Sequence, residues 1–136
     1  VLGSRRVASG RRNQKERRPG MEIRERADGR IRILHVTGKV TRVDGERVLR
    51  ARIEDLSDRG YKRIVLNLAE VPYMDSSGLG ELVRCYSSLR RESGTMALTH
   101  LSPRLVDMLR ITKLGDVFDT FDTDAEAVLA LSGMES

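Results

Sequence analysis

The chain has 136 residues and a formal net charge of +5, which suits one ordinary domain able to bury a core without disulfides or metal. One cysteine, Cys85, and two histidines exclude an intrachain disulfide and a four-ligand Cys/His metal site, and they fit a reducing cytoplasm. No apolar run approaches the ~20 residues of a membrane span, and with three Tyr, two Phe and no Trp the core must be aliphatic.

The charge is concentrated at the start. Residues 1–20 hold Arg5, Arg6, Arg11, Arg12, Lys15, Arg17 and Arg18 against one acid, Glu16. That is a net of +6, so the remaining 116 residues carry −1. With only four apolar residues and no periodicity, this tail reads as disordered by composition. One reading makes it a basic arm for nucleic acid or an anionic membrane surface. Arg5-Arg6 is no twin-arginine signal, because no apolar stretch follows. The preferred reading concerns the start site. Lys15-Glu16-Arg17-Arg18 can be encoded entirely by purines, a few codons before Met21, where a bacterial ribosome-binding sequence would sit. Translation is then expected to begin at Met21, with residues 1–20 not native and residues 21–136 forming the domain.

Glu22–Arg26 and Ile31–Val36 read as two strands, with Asp28-Gly29 between them as a hairpin signal. From about Gly45 to Asp58, Val48, Leu49, Ile53 and Leu56 fall at helical spacing, and Gly60 supplies a C-cap. Ile64–Leu68 is a short β-branched run suited to a buried parallel strand. Pro72 argues against a central strand in the next segment. The strongest helix is expected from about Gly78 to Glu92, with Leu79, Leu82, Val83, Tyr86 and Leu89 on one face. Thr95–Thr99 reads as a strand. Ser102-Pro103 opens a short helix as cap and first helical residue. Val117–Phe121 alternates as a last strand, and Thr123–Glu126 begins a last helix. Strands alternating with helices imply an α/β fold, with helices packed on a largely parallel sheet.

The segment Met74-Asp75-Ser76-Ser77-Gly78-Leu79-Gly80 carries the chemistry. It places Ser76 and Ser77 at a helix N-terminus, past the carboxyl end of a strand, where open α/β sheets usually site function. One reading leaves both serines as caps. The other notes that one cap suffices, so that a second hydroxyl can point outward and be modified. Enzymatic readings fail. Asp75-Ser76-Ser77-Gly78 is not the G-x-S-x-G of a nucleophile elbow. Nothing in the spacing of His35 or His100 builds a triad. No G-x-x-x-x-G-K-[ST] loop is present. Cys85 beside Arg84 admits a depressed pKa, but partial burial as a small apolar side chain is preferred.

With MDSSGLG at its centre, the chain resembles the STAS-domain family and, within it, the anti-sigma factor antagonists (anti-anti-sigma factors). The resemblance spans about residues 21–132. It includes Ile64–Leu68, Val71–Gly80, Leu101-Ser102-Pro103 and Leu114–Phe121. It implies a single STAS-like α/β domain: a mixed four- to five-stranded sheet with four to five helices. It also implies a non-enzymatic cytoplasmic regulator without cofactor. In such relatives the serine directly after the aspartate, here Ser76, is phosphorylated by a partner that is both serine kinase and anti-sigma factor. The unmodified form binds that partner and frees the sigma factor; a serine phosphatase resets the modified form. Asp75, Ser76, Ser77, Gly78 and Leu79 are the implied partner-binding positions. The family commonly shows an acid, an apolar residue and Asp after the glycine that ends the second strand. Here Lys39, Val40 and Thr41 stand there, with Asp44 three residues on, so Thr41 and Asp44 join the candidates. The alternative is a STAS scaffold or transport-system subunit acting by protein binding without phosphorylation. Direct nucleic-acid binding is disfavoured by a body of net −1 without an aromatic platform.

Overall fold

The computed structural model describes residues 21–42 and 46–133, so the expectations for residues 1–20 and for Asp44 lie outside the described residues. Five strands run β1 (Met21–Asp28), β2 (Ile31–Gly38), β3 (Arg63–Glu70), β4 (Thr95–Thr99) and β5 (Asp119–Phe121). Among the described residues four helices alternate with them: α1 (Glu46–Asp58), α2 (Ser76–Arg91), α3 (Pro103–Ile111) and α4 (Asp124–Ser132). The sheet order is β1-β2-β3-β4-β5. The β1–β2 pair is antiparallel and every later pair is parallel, so the sheet is mixed, with β1 alone reversed.

Hairpin β1–β2 turns at Gly29, whose φ of 62° is the left-handed conformation that glycine adopts without a Cβ penalty. Alternation in β2 serves both faces of the sheet. Leu34 and Val36 face the larger core, built with Leu49, Ile53 and Leu56 of α1, Leu79, Leu82 and Leu89 of α2, and Leu105 and Leu109 of α3. Ile31 and Ile33 face a smaller core with Val65, Ala97 and, from α4, Ala127 and Leu131. Three helices therefore cover one face and α4 covers part of the other. The central strand β3 is buried from Ile64 to Leu68, as its unbroken apolar run requires.

The first three strands run one or two residues beyond the expected bounds, and two other boundaries differ for a specific reason. α2 begins at Ser76, two residues before the expected Gly78, because Asp75 rather than a serine is the N-cap. β5 begins at Asp119, not Val117. Phe118 is buried against the larger core instead, edge-on to Tyr86 with ring centroids 5.4 Å apart. The packing of one large aromatic on the helix side outcompetes two further ladder pairs.

No helix among the described residues is long and apolar enough to cross a membrane.

Candidate functional site

The surface around Ser76 is built by two loops that leave neighbouring parallel strands. β2 ends at Gly38 and β3 at Glu70, and their continuations run side by side. Val40 and Met74 form an isolated parallel bridge. The amide of Val40 donates to the carbonyl of Tyr73 at 3.0 Å, and the amide of Asp75 donates to the carbonyl of Val40 at 3.3 Å. Val40 and Met74 are both buried, so the bridge is anchored in the core.

Asp75 joins this bridge to the helix. Its extended backbone (φ −92°, ψ −178°) suits an N-cap, and its Oδ1 accepts the Gly78 amide at 2.8 Å. Its Oδ2 faces the other way and accepts the amide of Arg42 at 3.4 Å. The carbonyl of Asp75 accepts the Leu79 amide at 2.9 Å, so the first helical turn closes on it. One carboxylate thus holds the helix start and the β2 loop together. Gly78 is required by the same closeness. A Cβ there would overlap the carbonyl oxygen of Val40 and lie 2.9 Å from Met74 Cγ.

The two serines become the first two helical residues, not caps. Ser76 is exposed and Ser77 is half-buried, so the hydroxyl presented outward is that of Ser76. Gly78 and Leu79 are buried; they shape the surface from beneath. Thr41 is also nearly covered, at 8 % exposure. Exposed residues complete the rim: Lys39, noted in the sequence only as a departure from the family pattern, and Arg42 and Tyr73, which the sequence reading missed, the last 40 % exposed. Their signal lay in the pairing of the two loops, which no local pattern announces.

One and a half turns into α2, Glu81 is fully buried, yet it carries a carboxylate. Arg50 of α1 reaches it at 3.4 Å and Arg84 at 3.2 Å, so the ion pairs tie α1 to the helix that bears Ser76. Cys85 Sγ lies 3.7 Å from Glu81 Oε2. Burial first, and then the nearby Glu81 carboxylate, push the Cys85 thiol up to about 12. The depressed pKa admitted from Arg84 is therefore overturned: the thiol is protonated and enclosed. His35 sits within β2 beside Glu70, at 3.7 Å, and His100 follows β4. Among the described residues no group of three or more His, Cys, Asp or Glu is placed to hold a metal ion.

A mixed sheet flanked by helices thus carries an exposed serine as the first residue of a capped helix. Residues 22–127 match the STAS domain family model, and the chain belongs to that family as a protein of the anti-sigma factor antagonist type. The anti-sigma-B factor antagonist of Listeria monocytogenes is 33 % identical over 106 residues, covering 78 % of this chain and 91 % of that protein. That of Bacillus subtilis is 36 % identical over 72 residues, covering 53 % of this chain and 65 % of that protein. Among solved structures, the anti-sigma factor antagonist SpoIIAA in its unphosphorylated form has a TM-score of 0.66 at 23 % identity, covering 82 % of this chain and 99 % of that one. The Bacillus SpoIIAA in its phosphorylated form has a TM-score of 0.62 at 22 % identity, covering 79 % and 96 %. The structural likeness shows the fold.

Proposed function

We propose that this chain is a phosphorylation-switched antagonist of an anti-sigma factor. Unmodified, it binds an anti-sigma factor that is also a serine kinase, and a sigma factor is released. Phosphorylated on Ser76, it lets the kinase go, and a serine phosphatase restores it. It acts in the cytoplasm by binding and not by catalysis. The observation that carries this reading is the exposed Ser76 hydroxyl on the first residue of α2, next to a half-buried Ser77.

Phosphate on Ser76 adds about −1.5 to −2 charge at neutral pH. The amino end of a helix tolerates that charge, so the fold need not respond. The bridge at Val40 and Met74 and the Asp75 clamp keep the backbone beneath it fixed. The switch therefore acts on the contact with the partner, through charge and bulk. That this chain's fold matches SpoIIAA in both its unphosphorylated and phosphorylated forms supports a change made without refolding.

The test is incubation with ATP and each serine kinase of the anti-sigma class from the same organism, followed by site mapping. Label is expected on Ser76. Ser76→Ala should abolish it and bind the kinase constitutively, and Ser76→Asp should bind weakly. Label that survives Ser76→Ala but not Ser77→Ala would move the site by one residue. Stable binding to another protein without any label would favour the scaffold reading.

A further inference from the structure

Some of the cations on this protein are already engaged. Around Tyr61, Arg32 stacks at 3.7 Å from the ring centroid, with Arg30 and Arg59 at 5.6 and 5.8 Å. There Arg59 is paired with Asp55 at 2.9 Å and Arg32 with Glu25 at 3.4 Å. Two further exposed cations stand beside Ser76. Lys39 and Arg42 are both exposed, and neither side chain has a carboxylate partner among the described residues. Asp75, between them and the helix, gives its oxygens to the amides of Gly78 and Arg42 and pairs with neither side chain, but it keeps its charge, so Lys39, Arg42 and Asp75 together leave a net of +1.

The two cations flank the Val40–Met74 bridge, Lys39 just before it and Arg42 two residues after. Tyr73 on the neighbouring loop and Ser76 at the start of α2 flank the same bridge from the other side. An exposed aromatic, two cations without a carboxylate partner among the described residues and Ser76 therefore occupy neighbouring positions on a backbone pinned by hydrogen bonds. Tyrosine and arginine are residues that protein contacts favour, and opposite charge steers and selects the partner.

We propose that Lys39, Arg42 and Tyr73 form with Ser76 a cationic contact surface that receives an acidic face of the protein partner. The proposal rests on the reading of Ser76 as the switch and says how the switch works here. A phosphate of about −1.5 to −2 charge outweighs the net positive charge that Lys39, Arg42 and Asp75 leave. The acidic partner then meets a neutral or negative surface, and attraction becomes repulsion. The fold is unchanged; only the sign of the surface is altered.

Two measurements test this. In the first, a hexaglutamate peptide is titrated into the full chain and followed by amide NMR shifts. Shifts are expected at residues 38–42 and 72–77, fading as salt rises. They should vanish in the double variant Lys39→Glu/Arg42→Glu and shrink in Ser76→Asp. Shifts centred on Arg30, Arg32 and Arg59 instead, or unaltered in the double variant, would overturn the assignment. In the second, the kinase that labels Ser76 is bound to wild type and to the double variant. Charge reversal at a steering contact should weaken binding at least about tenfold. Binding of the double variant at wild-type strength overturns the surface while the Ser76 reading stands. Absence of Ser76 labelling by any kinase overturns that reading, while the peptide map still judges the surface.

Discussion

The carbonyl oxygen of Val40 occupies the space into which a side chain on residue 78 would project. The helix that presents Ser76 is therefore seated directly on the loop from β2, backbone against backbone. Gly78→Ala must push the loop and helix apart. A loss of roughly 3 kcal/mol is expected in urea unfolding, at the upper end for an overpacked site. Gly80→Ala supplies the comparison. A Cβ there meets only the far end of the Arg84 side chain, at 3.8 Å. In a helix interior that exchange should stabilise by up to about 1 kcal/mol.

Glu81 and Arg50 yield a prediction with a definite order. Glu81 is fully buried, while the Arg50 side chain is 41 % exposed. Arg50→Ala leaves a buried carboxylate with one ion-pair partner fewer, whereas Glu81→Met removes the buried charge itself and fills its space. The first should cost more than the second, which should stay within about 1 kcal/mol of wild type. Thermal unfolding of both variants decides it; the reverse order would mean that the pair itself, not the avoided stranding of a charge, stabilises the α1–α2 contact.

Cys85 should be inert in the folded protein. With its thiol pushed up to about 12 by burial and by Glu81, the reactive thiolate at pH 8 is rarer than in a free cysteine by about a thousandfold. A disulfide reagent should modify it slowly in buffer and at once in denaturant. Fast labelling of the native chain would show that the α2 face opens.

Asp124 makes stability pH-dependent on the acid side. Burial raises its pKa, but the Thr99 hydroxyl at 2.6 Å and the Asn67 amide at 2.9 Å donate to it and outweigh burial, with Arg26 adding to them. The folded carboxyl is held below its unfolded value. Its contribution is therefore complete above the ordinary carboxyl range and is lost as pH falls through the lowered folded value. Asp124→Ala should cost about 2 kcal/mol at pH 7, as expected for hydrogen bonds to a charged group. It should also flatten the acid limb of the stability curve, measured by urea unfolding from pH 7 to pH 3.

Much of this fold was legible because each element has one strong local signal. The i, i+3, i+4 stripe of Leu79, Leu82 and Val83 marks α2, and the apolar run at Ile64 marks a strand buried on both faces. That one of the two serines could point outward was legible too; singling out Ser76 took the family resemblance. What local pattern missed was decided by contacts between distant residues. Asp75 wins the cap from the serines because its two oxygens can serve Gly78 and Arg42 at once. Glu81 gave a faint sign, since it lies three residues after Gly78 and four before Cys85 on the apolar face. Asn67 inside an otherwise apolar strand was the sign of Asp124, but its partner lies 57 positions away.

The order of strands across the sheet is the order of strands along the chain. Each new strand can dock on the one made just before it, so no loop has to close over a large span. The loops and the helix that frame Ser76 all precede β4. A ribosome delivers them before the closing third, and the surface that meets the partner is laid down before the domain is finished.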